Sequence, residues 1–466
     1  MCSAASVLIV IAAGGVDARP QYGGVLRIEI QPALRTADPA AMPADAADAA
    51  ARARLLPLVF ETLVAADRDG GIAPRLAVSW EHDAAARRWR FRLRAAVKLH
   101  DGSTLEAPQV AAVLRGETGW KVAADGDALA IESDRDAPDL PWELASLRHA
   151  VVIRRSGGEA IGTGPFRIDR LEPQRLVLRA HEDYWGGRPF VDAVDVAMGR
   201  SPTDQLASLE IGRADLVSAS PLDAARVSQH GLRVAASRPV DLVALVFEEQ
   251  RAMPAGRPVR NAVAAAVDRT SLCTVLLQRW AQPAETLVPD WLSGYASLLA
   301  GGHDRGSARA LVAALPPAQR ALALRVDSSI PADRAIADRI AVDAREAGLT
   351  IRIDPADSLA PRPDMRLVRI RLEATSPDRA LTGALAALGP RAARVLPADT
   401  APAPGAPLDA VYRLERSLLE PRIIVPLVHL PELYALGAYV DSWNGPLVLP
   451  SGAWDLGNVW IRADRP

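Results

Sequence analysis

Gly162-Thr163-Gly164-Pro165-Phe166-Arg167-Ile168-Asp169 opens the stretch that decides the fold, which runs on to Leu216. Gly162, Gly164 and Pro165 predict a tight turn, because glycine allows positive φ and proline fixes φ. Phe166 and Ile168 alternate with Arg167 and Asp169, the period of a half-buried strand. Leu176-Val177-Leu178, between Arg175 and Arg179, supplies the second strand of a hairpin. Asp183-Tyr184-Trp185-Gly186-Gly187-Arg188-Pro189 reads as a turn carrying two large aromatics. Leu206 to Ile211 reads as a short helix stopped near Gly212, and Ala214-Asp215-Leu216 enters another strand.

These pieces, in this order, resemble the extracellular solute-binding proteins of family 5, which include the dipeptide-, oligopeptide- and nickel-binding receptors of ABC importers. Members typically show G-T-G-P-[FY], then N-x-D-Y-W-x-G-x-P, then L-x-x-G-x-[VA]-D. Here these are Gly162 to Phe166, His181 to Pro189 and Leu209 to Asp215. The likeness extends outward. Tyr22 to Ile28 is similar to the family's first strand, and Thr36 to Ala40 to its LDPA turn. Val59 to Leu63 resembles the YExL helix, Ile72 to Trp80 the I-x-P-x-L-A-x-S-W segment, and Val97 to Gly102 the VKFHDG piece. Pro258 to Arg269 is similar to a helix written VRxAxxxAxDR, and Pro426 to His429 to a late PLxH strand.

The resemblance implies an α/β chain with the two-lobed periplasmic-binding-protein fold (type II, large cluster C-like) and an extra subdomain in lobe one. The expected division is 1–18 a signal peptide, 19–239 plus 436–466 lobe one with a subdomain inserted at about 55–160, and 240–435 lobe two. The chain should cross between lobes near Pro239 to Phe247 and again near Leu433 to Val440. In lobe two a helix is expected from near Val259 toward Trp280, and another over Arg334 to Ala347 ending at Gly348. With Leu349 to Ile353 as the next strand, the alternation argues for a parallel α/β lobe.

Composition agrees with a large soluble chain. At 466 residues, 49% of them hydrophobic, there is core enough for about three structural units. A net charge of −2 gives no electrostatic case for nucleic acid or an anionic membrane. The apolar run Ser6 to Gly15 is too short to span a bilayer, and Val16-Asp17-Ala18 resembles a signal-peptidase site, so a periplasmic protein beginning near Arg19 is expected. Met1 to Ala5 lacks the usual Lys or Arg. Without that segment Cys273 is the one cysteine, and its apolar helix predicts a buried, inert thiol.

Catalysis needs an activated group with a partner. The seven histidines are scattered, and no H-x-x-x-H, C-x-x-C, G-x-S-x-G or P-loop spacing occurs. His100-Asp101-Gly102 reads as a strand end entering a turn, and His429 as a satisfied core histidine. No enzyme activity, metal or cofactor is expected. The resemblance implies a monomeric receptor that captures a peptide or peptide-like molecule by hinge closure and hands it to ABC permease subunits. The alternatives are a non-transport sensor or chaperone on the same lobes, and a cleft hydrolase.

Ligand-contact candidates sit where family sites form: Gln31 and Leu34 after the first strand, Phe247, Glu248 and Glu249 after the first crossing, Trp291 in a Pro-bounded loop, and Tyr434, Tyr439 and Trp443 near the second crossing. Glu373 stands where peptide receptors carry the Asp that holds the peptide amino group, although the Trp before it is missing. Trp80, Trp89 and Trp185 read as packing residues.

Overall fold

Strand β1 (Val25–Glu29) buries Leu26 and Ile28 on one face, the period-two pattern of a strand against a core. The structure is a computed structural model that describes residues 19–67, 71–116, 119–135, 137–248, 256–299, 304–359, 362–372, 376–393, 401–403, 405–442, 448–449 and 452–462. The expected leader at 1–18, and Glu249, Glu373 and Trp443, lie outside the described residues.

Helix α1 (Ala46–Leu55) is capped by Asp45, whose carboxylate accepts from the Asp48 N–H at 2.8 Å. It tightens into a 3-10 turn at Leu56–Leu58 and stops. The segment from Val59 to Leu63, expected to be helical, has no regular structure. Its carbonyls serve other segments: Val59 accepts from the Gly164 N–H at 3.0 Å, Glu61 from Val151 at 2.8 Å and Leu63 from Ala77 at 2.8 Å. A helix would forfeit those bonds, and β-branched Val59 and Thr62 favour it little.

β2 (Ala77–Asp83), β3 (Arg88–Leu93), α2 (Ala107–Leu114), β4 (Trp120–Asp125) and β5 (Ala128–Ser133) form a separate unit, its antiparallel sheet ordered β2-β3-β5-β4. Trp89 and Phe91 alternate inward from β3 and share an apolar cluster with Val110 and Leu114 of α2.

The quoted stretch folds largely as read. β6 (Phe166–Glu172) and β7 (Arg175–Ala180) make the hairpin, followed by β8 (Ala193–Ala197), α3 (Pro202–Glu210) and β9 (Leu216–Ala219). Gly212 ends α3 at φ +70°. The reason for Gly162 and Gly164 differs from the expected one. Neither has positive φ. A Cβ on Gly162 would lie 2.0 Å from the Val59 carbonyl oxygen, and one on Gly164 2.6 Å from that of Leu58. They are glycines because two backbones meet there.

β10 (Arg233–Phe247), α4 (Arg257–Ala266), α5 (Arg305–Ala313), β11 (Ala321–Val326), α6 (Pro331–Ala347), β12 (Thr350–Pro355), β13 (Met365–Arg371), α7 (Leu408–Leu419) and β14 (Ile424–Leu436) complete the framework. The main sheet runs β6-β7-β8-β1-β9-β14-β10-β13-β11-β12, continuous through both lobes. Lobe two is mixed rather than parallel. β11 is parallel to β12 and β13, but β10 is antiparallel to β13 and β14, because the two crossing strands pass through the sheet in opposite directions. The helix expected to reach Trp280 breaks at Val267, where Asp268 caps a new turn by accepting from the Ser271 N–H at 2.9 Å. α6 ends at Gly348 with φ +98°, as expected.

β10 and β14 pair from Arg233 opposite Leu436 to Val246 opposite Ile424. Between these ends Pro239 faces Pro431, with register shifts on both sides of Pro239. Neither proline can donate to the ladder. Side chains partly replace it: Ser237 Oγ accepts from the Glu432 N–H at 2.9 Å and donates to the Arg238 carbonyl at 2.6 Å.

His429 is a satisfied core histidine, 3% exposed, with Nε2 donating to the Leu287 carbonyl at 3.1 Å. Burial pushes its pKa down to about 4, which that bond opposes. The unfolded chain therefore binds a proton below pH 6.5 that the folded chain refuses, and stability falls as pH drops from about 6.5 to about 4. His429→Gln should flatten this slope by up to about 1.4 kcal/mol per pH unit in urea melts. Parallel slopes in the two proteins would show that His429 titrates normally. Cys273 is buried, and burial pushes its thiol up to about 12, so it stays unreactive.

Candidate functional site

The 3-10 turn and its continuation, the aromatic turn, Ala145 to Leu147, and the returning C-terminal segment Ala453 to Asn458 enclose a cavity of about 800 Å³. That is ample for a small organic ligand. Phe60, Tyr184, Trp185, Phe190 and Trp454 give it an aromatic wall, and Leu372, just past β13, lines it from the lobe-two side of the chain.

Glu61 sets the shape of that wall. Its Oε1 accepts from the Tyr184 hydroxyl at 2.9 Å and its Oε2 from Trp185 Nε1 at 2.8 Å. Arg75 stands 3.9 Å away, and the Arg94 guanidinium lies 3.9 Å over the Trp185 ring. Burial pushes the Glu61 carboxyl above its usual range, against the pull of Trp185, Arg75 and Tyr184. The two aromatics of the turn are thus anchored by one buried carboxylate on a segment more than a hundred residues away.

Behind the turn two histidines lock Gly164. The Gly162 N–H donates to His100 Nδ1 at 3.3 Å, so the proton sits on Nε2, which donates to the Gly164 carbonyl at 3.2 Å. His181 Nδ1 donates to the same carbonyl at 3.1 Å. Burial pushes His100 down to about 4 and lowers His181. Asp101 accepts from both the N–H and the hydroxyl of Ser103, the turn expected from the sequence.

A chain of charges joins the lobes beside the crossing strands. Arg54 of α1 meets Glu432 of β14 at 2.7 Å, and Arg371 of β13 meets Glu432 at 2.9 Å and Asp241 of β10 at 3.3 Å. Arg369 continues it to Asp241 at 3.6 Å and to Asp333. Burial alone would raise the Glu432 carboxyl, but Arg371 and Arg54 outweigh it and hold it below its usual range.

The sequence-predicted residues are spread more widely. Gln31 is exposed beyond β1, and Leu34 is core, its N–H on Met198 Sδ at 3.2 Å. Phe247 packs in the lobe-two core, and Glu248 pairs with Arg366. Trp291 donates from Nε1 to the Pro239 carbonyl at 2.8 Å, at the break in the crossing strands. Tyr434 is buried, donates to Glu432 at 3.0 Å and meets the Trp454 ring edge-on at 5.7 Å. None of these six lines the cavity. Trp185, read as packing, both packs and lines it. The signal for it was two adjacent aromatics with polar tips in a turn, where a strand's alternation is not what places them. Among the described residues no group of three or more His, Cys, Asp or Glu could hold a metal ion.

Fold and cavity together define the class: a two-lobed α/β binding protein with crossing strands between its lobes. The family model for bacterial extracellular solute-binding proteins, family 5, matches residues 71–386, and the chain belongs to that family. A nickel-binding periplasmic protein of Escherichia coli (strain K12) is 30% identical over 262 residues, 49% of this chain and 50% of that protein, so the chain spans half that relative's length. The crystal structure of an ABC transporter substrate-binding protein from Sinorhizobium meliloti is similar at a TM-score of 0.73 and 20% identity, covering 94% of this chain and all of that one. The ABC transporter substrate-binding protein CtaP of Listeria monocytogenes gives a TM-score of 0.74 at 17% identity over 95% of this chain and all of its own.

Proposed function

We propose that the chain is a periplasmic solute-binding receptor that captures a peptide or peptide-like small molecule and delivers it to the permease subunits of an ABC importer. The observation that carries this reading is the aromatic cavity of about 800 Å³. It is walled by lobe one and reached by Leu372, the residue after β13 ends. Lobe one is read as 19–239 with 436–466, carrying the subdomain at about 55–160, and lobe two as 240–435. Family membership and the similarity to an E. coli nickel-binding protein support binding without chemistry, and leave a metal complex as a second ligand class. Glu373 follows Leu372 in sequence and is the proposed partner of a ligand amino group.

Closure is tested by X-ray scattering on protein titrated with a mixed di- to pentapeptide library, with native mass spectrometry identifying the species retained. A retained species should lower the radius of gyration, since contacts from both lobes stabilise the closed form. A peptide retained with no change in scattering would remove hinge closure from the reading. No retained peptide, beside a retained nickel complex, would move the ligand class.

A further inference from the structure

A second concavity, of about 480 Å³, lies in lobe two among α4, α5 and the C-terminal end of α7, and shares no residue with the aromatic cavity. Arg257, Arg269, Arg416 and Arg422 line it, against Glu285 and Glu420. Four guanidiniums face two carboxylates, an excess of two positive charges.

The ordinary account is that arginines gather at a helix C-terminus to meet its free carbonyls. It covers part of the cluster. Arg257 reaches the Glu420 carboxylate at 3.3 Å, Arg260 donates to the Pro421 carbonyl at 2.8 Å, and Arg269 Nε donates to the Pro426 carbonyl at 2.8 Å. It does not cover the rest. Arg269 is 5% exposed, and its Nη2 is buried without a hydrogen-bond partner among the described residues. Its ion pair with Glu285 is a loose 3.5 Å. Burial, and then the neighbouring charge of Arg422, lower its affinity for its proton, against the pull of Glu285. Arg416 and Arg422 carry no side-chain hydrogen bond or ion pair to any described residue. Like charges held this close, one of them buried, meet only the carboxylates of Glu285 and Glu420 among the described residues that line the concavity.

We propose that this concavity binds a small oxyanion of at least two negative charges, a phosphate or a polycarboxylate, between Arg416 and Arg422 and over Arg269. Planar guanidinium forks match both chemistries. The site is separate from the solute cavity and does not depend on the transport reading.

The test is calorimetry and thermal melting of the full chain with sodium phosphate, sodium citrate and sodium chloride at matched ionic strength. Phosphate or citrate, but not chloride, should bind and raise the melting temperature. Binding of phosphate alone assigns a phosphoryl ligand, and binding of citrate alone a carboxylate. Arg422→Gln and, separately, the exposed Arg416→Gln should each weaken binding by about tenfold, one charge-assisted hydrogen bond. Arg413→Gln, exposed on α7 and paired with Asp409, should leave it unchanged. Equal responses to the three salts, or unchanged affinity in both variants, would overturn the site.

Discussion

Gly162→Ala should destabilise the protein by about 3 kcal/mol or more, the range of severe overpacking with a lost backbone bond. The new Cβ would sit 2.0 Å from the Val59 carbonyl oxygen and 2.8 Å from the Phe60 ring. The ring can turn, but the carbonyl cannot retreat. It holds the Gly164 N–H at 3.0 Å, while the Val59 N–H is held by Leu56 at 2.9 Å. Relief therefore means parting the hairpin from the 3-10 turn, and the cavity wall goes with it. Gly157 is the control, with open space around its Cβ position and no positive φ. Gly157→Ala should stay within about 0.5 kcal/mol of the parent. Equal urea midpoints for the two variants would refute the close-approach account.

Glu61→Ala should cost about 2–4 kcal/mol, since it strands the Tyr184 hydroxyl and the Trp185 N–H at once. Glu61→Gln should cost much less. Its amide oxygen can still accept from Trp185, and its NH2 can donate to the Tyr184 oxygen, which both donates and accepts. The pH signature differs as well. Burial raises the Glu61 carboxyl in the folded state, so its share of stability is full below the unfolded value near 4.5 and is lost as pH rises through the folded value. Glu61→Gln should lose that dependence, whose sign is opposite to that of His429. Alanine and glutamine variants of equal stability would mean that the carboxylate does not anchor the turn.

What the sequence shows plainly is what neighbours in the chain decide. Phe166 and Ile168 against Arg167 and Asp169, Leu176 to Leu178 as the second strand of the hairpin, and the Gly348 cap all rest on patterns within a few residues. The cavity is a different matter. Glu61, Trp185 and Trp454 lie far apart in sequence, and only the closed fold brings them to one wall. Val59 to Leu63 misleads for the same reason: its partners are Gly164, Val151 and Ala77, none of them local. Trp291, a candidate ligand contact for its Pro-bounded loop, and Tyr434, one for its place near the second crossing, each find a hydrogen-bond partner beside the crossing strands, Pro239 and Glu432.

The facing prolines carry a consequence for how the molecule moves. Two separate tethers would let the lobes slide, twist and bend in any mixture. Here both tethers are one ribbon, laced together above and below the level where Pro239 faces Pro431, with a further register shift between Val243 and Ala244. The molecule is a door on one pin, not a drawer on two rails. A ribbon paired on both sides of such a break resists sliding of one strand past the other more than bending at the break, so turning about that level is the movement the ladder opposes least.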